Sequence, residues 1–184
     1  MLLRENTGLL IVDVQERLYP HIERPCEILN AMQLVIKGFQ ALHLPIVVSE
    51  QYPQGLGSTI GALKQLLDPS QLYLAKNTFS CLEDDAFKKT FLALPPQNWV
   101  LVGIEAHVCV LQTAKSLQQC GKGVVVLNDA ISSRSVYNFS TAIAEMRDAH
   151  IRVSCVETVL FELLRDSKAP EFKQISALIK SHSQ

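Results

Sequence analysis

The feature that most restricts this chain is a strand-length apolar run that recurs along it, each copy separated from the next by residues at helical spacing or by a turn signal. The first copy, Gly8-Leu9-Leu10-Ile11-Val12, is apolar on both faces of the pleat and stops abruptly at Asp13. Such a run suits a parallel strand covered on both sides, because neither face is left for water. Further copies are Ile46-Val47-Val48, Leu72-Tyr73-Leu74-Ala75 before Lys76, Trp99-Val100-Leu101-Val102 before Gly103, Gly123-Val124-Val125-Val126-Leu127 before Asp129, and Ile151-Arg152-Val153-Ser154 before Cys155. Helical patterns lie between them: Glu27 to His43, Asp85 to Leu92, Val108 to Cys120 stopped by Gly121, and Asn138 to Ala149. Two more, Val156 to Leu164 and Glu171 to Lys180, close the chain. Strand and helix in alternation require right-handed parallel crossovers. The expected fold is therefore α/β, a three-layer α/β/α sandwich around a six-stranded parallel sheet in the order 3-2-1-4-5-6.

At 184 residues the chain fits one domain, 1–184, with no repeat or linker to divide it. Hydrophobic residues make up 48% and charged residues 19%, and the formal net charge is −1. Lys and Arg are scattered, so there is no electrostatic footprint for nucleic acid and no polybasic membrane patch. The N-terminal residues lack a secretory apolar core, and no run approaches the roughly 20 residues of a membrane span. The expectation is a cytoplasmic protein with a small-molecule partner. Five cysteines, Cys26, Cys81, Cys109, Cys120 and Cys155, are odd in number and widely spaced, with no C-x-x-C pair, which fits free thiols in a reducing compartment.

Ligands of open α/β sheets bind beyond the carboxyl ends of the strands, so Asp13, Glu50, Lys76, Glu105 and Asp129 stand where chemistry is expected. Cys109 falls in the first turn of the helix after strand four, where the helix dipole, unpaired N–H groups and a nearby Lys76 would favour a thiolate. The same N–H groups would stabilise an oxyanion. Asp13 suits general acid–base work, and strands one and four become neighbours in the expected order. Each residue also has a plain structural reading, since free cysteines are commonly buried and carboxylates and lysines commonly face water.

Leu10-Ile11-Val12-Asp13-Val14-Gln15, then Lys76-Asn77-Thr78-Phe79-Ser80, then Gly103-Ile104-Glu105-Ala106-His107-Val108-Cys109-Val110, in this order, resemble the isochorismatase-like hydrolases. The similarity extends through Asn128 to Arg134 and the tail Glu157 to Leu164, and is greatest to the isochorismatase-domain-containing subgroup. The resemblance implies a triad of Cys109, Asp13 and Lys76. It also implies a cis peptide between Ile104 and Glu105, oxyanion donors at the Glu105 and Cys109 amides, and a homo-oligomer. Gln15, Gln51, Tyr52, Phe79 and His107 are substrate-pocket candidates by position.

Departures from the family pattern sharpen this. The nicotinamidase branch carries an Asp-x-His metal motif after strand two, where this chain reads Glu50-Gln51-Tyr52, with no histidine between His43 and His107. No catalytic metal and no cofactor are expected. The cysteine favours C–N bond hydrolysis of an amide through a thioester over the vinyl-ether cleavage of the namesake enzymes. Ala106-His107 replaces the Thr-Asp pair common in relatives. A nucleotide-binding Rossmann domain lacks its G-x-G-x-x-G turn here, and Lys115 stands where a cysteine phosphatase needs an arginine. A non-catalytic binding or scaffold protein on the same fold is the alternative from another class.

Overall fold

The structure, a computed structural model, describes residues 1–182. Its elements run β1 (Thr7–Val12), α1 (Pro25–Ala41), β2 (Ile46–Gln51), α2 (Pro53–Leu56), α3 (Gly61–Lys64), β3 (Leu72–Lys76), α4 (Asp85–Leu92), β4 (Asn98–Ile104), α5 (Leu111–Gln119), β5 (Gly123–Ser132), α6 (Val136–Asp148), β6 (Arg152–Ser154), α7 (Val156–Leu164) and α8 (Phe172–His182). The six strands form one sheet in the order β3-β2-β1-β4-β5-β6, every pair parallel. Sequence pattern and structure agree on this architecture.

Continuous apolar strands make sense once the two cores are separated. On β1, Leu9 and Ile11 enter the core under α1, α7 and α8, while Leu10 and Val12 enter the core under α4, α5 and α6. On β4, Val100 and Val102 go to the first core and Trp99 and Leu101 to the second. Residues alternate faces with period two, so a strand buried on both sides must be apolar at every position. Local signals set the helix limits. Asp84 accepts from the amides of Ala86 and Phe87 to start α4, Ser135 accepts from Tyr137 to start α6, and Gly121, at φ 75°, follows the end of α5.

Two departures from the pattern bear on the site. The second strand is longer than its apolar run Ile46-Val47-Val48: β2 runs on to Gln51, Tyr52 turns at φ 37°, and Pro53–Leu56 makes a short helix. Strand β5 does not end near Leu127. Its pairing with β4 jumps from Leu101–Val126 to Gly103–Ile131, so a bulge shifts the register within a strand that runs on to Ser132. Hydropathy cannot show such a break, because residues on both sides of it remain apolar. No helix of the described residues is long and apolar enough to cross a membrane.

Candidate active site

β1 and β4 pair side by side, and their carboxyl ends meet at Val12 and Gly103. Gly103 has φ 125°, and a Cβ there would lie 2.1 Å from the Val12 carbonyl oxygen, so only glycine allows this approach. Asp13 follows β1 at φ 51°, a left-handed conformation that aspartate tolerates better than most residues. The next bond beyond β4, Ile104–Glu105, is cis. After it the chain forms a π turn, Ala106–Val110, and only then α5. The Glu105 carbonyl accepts from both Val108 (3.1 Å) and Val110 (3.2 Å). Cys109 thus sits in a π turn ahead of the α-helix, a widening common at functional sites.

The structure brings Asp13, Lys76 and Cys109 together in a nearly dry cluster. Asp13 and Lys76 side chains are fully buried, with Lys76 Nζ 2.7 Å from Asp13 Oδ2. The ammonium also donates to Gln51 Oε1 (2.6 Å) and to the carbonyls of Thr78 and Phe79 (3.1 Å each). Asp13 Oδ1 accepts from Ser49 Oγ at 2.7 Å. Such saturation is what a buried ion pair needs, since desolvation otherwise outweighs the Coulombic attraction. Burial alone would depress the Lys76 ammonium, but the Asp13 carboxylate, with Cys81 and Cys109, holds it above its ordinary range.

Cys109 is 6% exposed, and its thiol lies beside the Asp13 carboxylate. Burial, followed by the Asp13 charge, pushes the thiol well above its ordinary range, against the opposing pull of Lys76. This reverses the expected thiolate. The helix dipole acts at a terminus open to water, whereas here loss of solvent and an adjacent carboxylate dominate.

The remaining candidates divide. Gln15 and Gln51 are buried and internally satisfied: Gln15 Nε2 donates to the carbonyls of Gln51 (2.9 Å) and Gly57 (2.7 Å), its Oε1 accepts from the Gln51 amide (2.7 Å), and Gln51 Nε2 donates to the Asn77 carbonyl (2.8 Å). Both therefore brace the site from behind. Tyr52 and Phe79 are the exposed ones, at 52% and 57%. His107 is half-buried, its Nδ1 2.9 Å from Ser133 Oγ. Glu105 is paired with Arg134, which meets its carboxylate through the backbone N–H (2.9 Å), Nε and Nη2 (2.5 Å to Oε1). Burial alone would raise the Glu105 carboxyl, but these bonds hold it below the usual carboxylate range.

Two strand-end acids are not at the centre. Asp129, within the bulged part of β5, accepts from the Val156 amide at the start of α7, and Glu50 accepts from the amide and hydroxyl of Thr59. Ser49, Cys81 and Thr113 were missed, being small residues without a motif of their own. No group of three or more His, Cys, Asp or Glu side chains among the described residues is placed to hold a metal ion. At the position of the nicotinamidase motif, Glu50 Oε1 accepts from Thr59 and Gln51 Oε1 accepts from Lys76.

Comparison with known proteins places the fold in a family. Residues 7–158 match the isochorismatase domain, and the chain belongs to that family. It is 34% identical to the secreted isochorismatase effector Isc1 of Phytophthora sojae over 98% of this chain and 88% of that protein. It is 35% identical to isochorismatase domain-containing protein 1 of Salmo salar, matching 98% of this chain and 63% of that protein. Among solved structures, the MAR1 ribonuclease of Caenorhabditis elegans superposes with a TM-score of 0.90 at 35% identity, over 97% of this chain and 92% of that one. The family and the sheet order together define a hydrolase fold.

Proposed function

We propose that this chain hydrolyses a small, uncharged amide through a thioester on Cys109, without a metal ion. The observation that carries the reading is the Cys109 thiol beside Asp13, whose carboxylate oxygens accept from Lys76 and Ser49. As Sγ attacks the carbonyl carbon, Asp13 takes the thiol proton, and the oxyanion turns to the backbone N–H groups of Glu105 and Cys109. Collapse breaks the C–N bond, and the proton passes from Asp13 to the leaving amine. Asp13 then draws a proton from water, which attacks the thioester, releasing the acid and restoring the thiol. Lys76 keeps the cluster's charge balanced throughout.

The uncharged substrate follows from what is left to bind it. Lys76 and Glu105 already have partners of opposite charge. His107 and the exposed rings of Tyr52 and Phe79 remain for recognition. The test is a panel of primary and secondary amides, with an RNA oligonucleotide included because of the relative's name. Wild type should release amine and form an acyl adduct visible by intact mass, and Cys109→Ala should do neither. Turnover of amide or RNA that survives in Cys109→Ala would remove the nucleophile from the mechanism. A folded wild type with neither turnover nor adduct would favour the binding or scaffold reading.

We also read the chain as cytoplasmic and self-associating. Val136 and Tyr137 are exposed apolar side chains that suit a contact between copies. Light scattering on the eluting protein gives the mass. A monomer across the micromolar range would end that part of the reading.

A further inference from the structure

Two consecutive residues past the end of β5 grip the turn that carries Cys109. Arg134 holds the Glu105 carboxylate through its backbone N–H (2.9 Å), its Nε (3.0 Å to Oε2) and its Nη2 (2.5 Å to Oε1). Ser133, fully buried, meets His107 Nδ1 with its Oγ at 2.9 Å. Glu105 and His107 stand four and two residues ahead of Cys109. The Glu105 carbonyl is fixed as well, by the Val108 and Val110 amides of the π turn. On its far side the gripping segment is itself anchored: the Ser133 carbonyl accepts from the Glu23 amide (2.9 Å), and Ser132 Oγ donates to the Glu23 carbonyl (2.7 Å).

Energetics separates this contact from an ordinary stabilising one. The Arg134 side chain is 64% exposed, and solvent screens such a pair, so its worth to folding is small. Yet the guanidinium places two N–H groups in a fixed fork on the two oxygens of one carboxylate, a geometry that fixes direction as well as distance. Glu105 is thereby held at its carboxylate from one side and at its carbonyl from the other, and its main chain has little freedom to turn. We infer that Ser133 and Arg134 form a positioning strap that keeps the Glu105 amide where the oxyanion of the reacting carbonyl develops. This deepens the hydrolysis reading and rests on it. Arg134 is a positioning residue that acts through Glu105 and touches no reacting atom. An oxyanion donor works only at hydrogen-bonding distance from the developing charge, so a small displacement of Glu105 removes much of its effect.

A strap of this kind should show in the rate and hardly at all in stability. Arg134→Ala keeps the backbone bond to Glu105 and should lower kcat on an amide of the panel roughly 10-fold, with KM changed less than about threefold and the urea midpoint close to wild type. Glu105→Ala removes the gripped carboxylate altogether and should cost roughly 100-fold. Because Arg134 acts through Glu105, the double variant should match Glu105→Ala alone. Free guanidinium ion, added well below the concentration that unfolds the protein, should restore part of the loss in Arg134→Ala, since it supplies the same planar fork.

Two further readouts need no substrate. Acetaldehyde labelled with carbon-13 at its carbonyl adds to a thiol: the S–C bond forms, the carbonyl π bond breaks, the thiol proton ends on the former carbonyl oxygen and nothing leaves. That oxygen takes the place of the oxyanion, so the hemithioacetal seen by NMR, with Cys109→Ala as the blank, should bind roughly 10-fold more weakly in Arg134→Ala. Iodoacetamide displaces iodide and builds no oxyanion, so it should alkylate Cys109 within about twofold of the wild-type rate. Hydrogen exchange in Arg134→Ala should rise in the peptide 105–110 and not in β1. If wild type neither turns over an amide nor adds acetaldehyde, yet exchange rises in that peptide alone, the hydrolysis reading fails and the strap stands. Equal adduct strength and equal exchange in Arg134→Ala and wild type overturn the strap. A urea midpoint that falls in step with the rate overturns it too, because the pair would then be a plain structural prop.

Discussion

Two acid–base pairs stand at the carboxyl edge of this sheet, and they differ in almost everything but their charge. Lys76 and Asp13 are both fully buried, whereas Arg134 is 64% exposed above a Glu105 that is 8% exposed. The inner pair has every valence filled from within, from Ser49, Gln51 and two backbone carbonyls. The outer pair leans on one exposed arginine, which adds its backbone amide as a second support. The inner pair is a structural necessity, because neither charge can be left alone in a dry site. The other is an adjustable rim.

Breaking the inner pair should therefore cost most. Lys76→Met leaves the Asp13 carboxylate buried without a counter-charge, and urea denaturation should show a loss of roughly 3–5 kcal/mol. A loss below about 1 kcal/mol would mean that water reaches Asp13 freely. Next comes the backbone seam that the inner pair rests on. Gly103→Ala places a Cβ 2.1 Å from the Val12 oxygen at φ 125°, and should cost roughly 3 kcal/mol or more by the same measurement.

Alkaline pH probes the inner region more gently. A thiol raised in the fold contributes stability that is complete below its unfolded value and is lost as pH climbs towards its folded value. Cys81 rises from 9.0 to about 12, so the unfolded chain sheds this proton first and the native state weakens across that window. The slope is up to ~1.4 kcal/mol per pH unit for one thiol. Cys81→Ala should flatten the fall in urea midpoint between pH 9 and 10.5, and parallel curves for the two proteins would contradict the assignment. The smallest effect belongs to the rim: Arg134→Ala should cost about 1 kcal/mol or less, because exposed pairs are screened by solvent.

How much of this was legible beforehand depends on what kind of signal each residue carries. Asp13 and Lys76 end apolar strands, so a change of character in the sequence marks them, and Cys109 follows from its place after β4. The sheet order puts Val12 beside Gly103, as the strand–helix alternation requires. Ser49, Cys81 and Thr113 carry no such mark. Their meaning arises only where β2, a helical turn and α5 converge, and small polar residues in buried elements look alike in sequence. Asp129 was misplaced for a related reason: the β5 bulge is a matter of register, which apolar composition does not encode. The thiol's protonation was misjudged because a sequence shows the helix ahead but not the depth of burial.

Lys76 holds one consequence beyond the proposed chemistry. Four acceptors surround an ammonium that has three protons, so every N–H is engaged at any instant and one contact must always be shared. To the outside world this amine is effectively masked. Amine-directed labels, acetyl donors and trypsin should all pass it by while the fold is intact, and its sudden appearance in a labelling map would report that the site has opened before any other sign of unfolding.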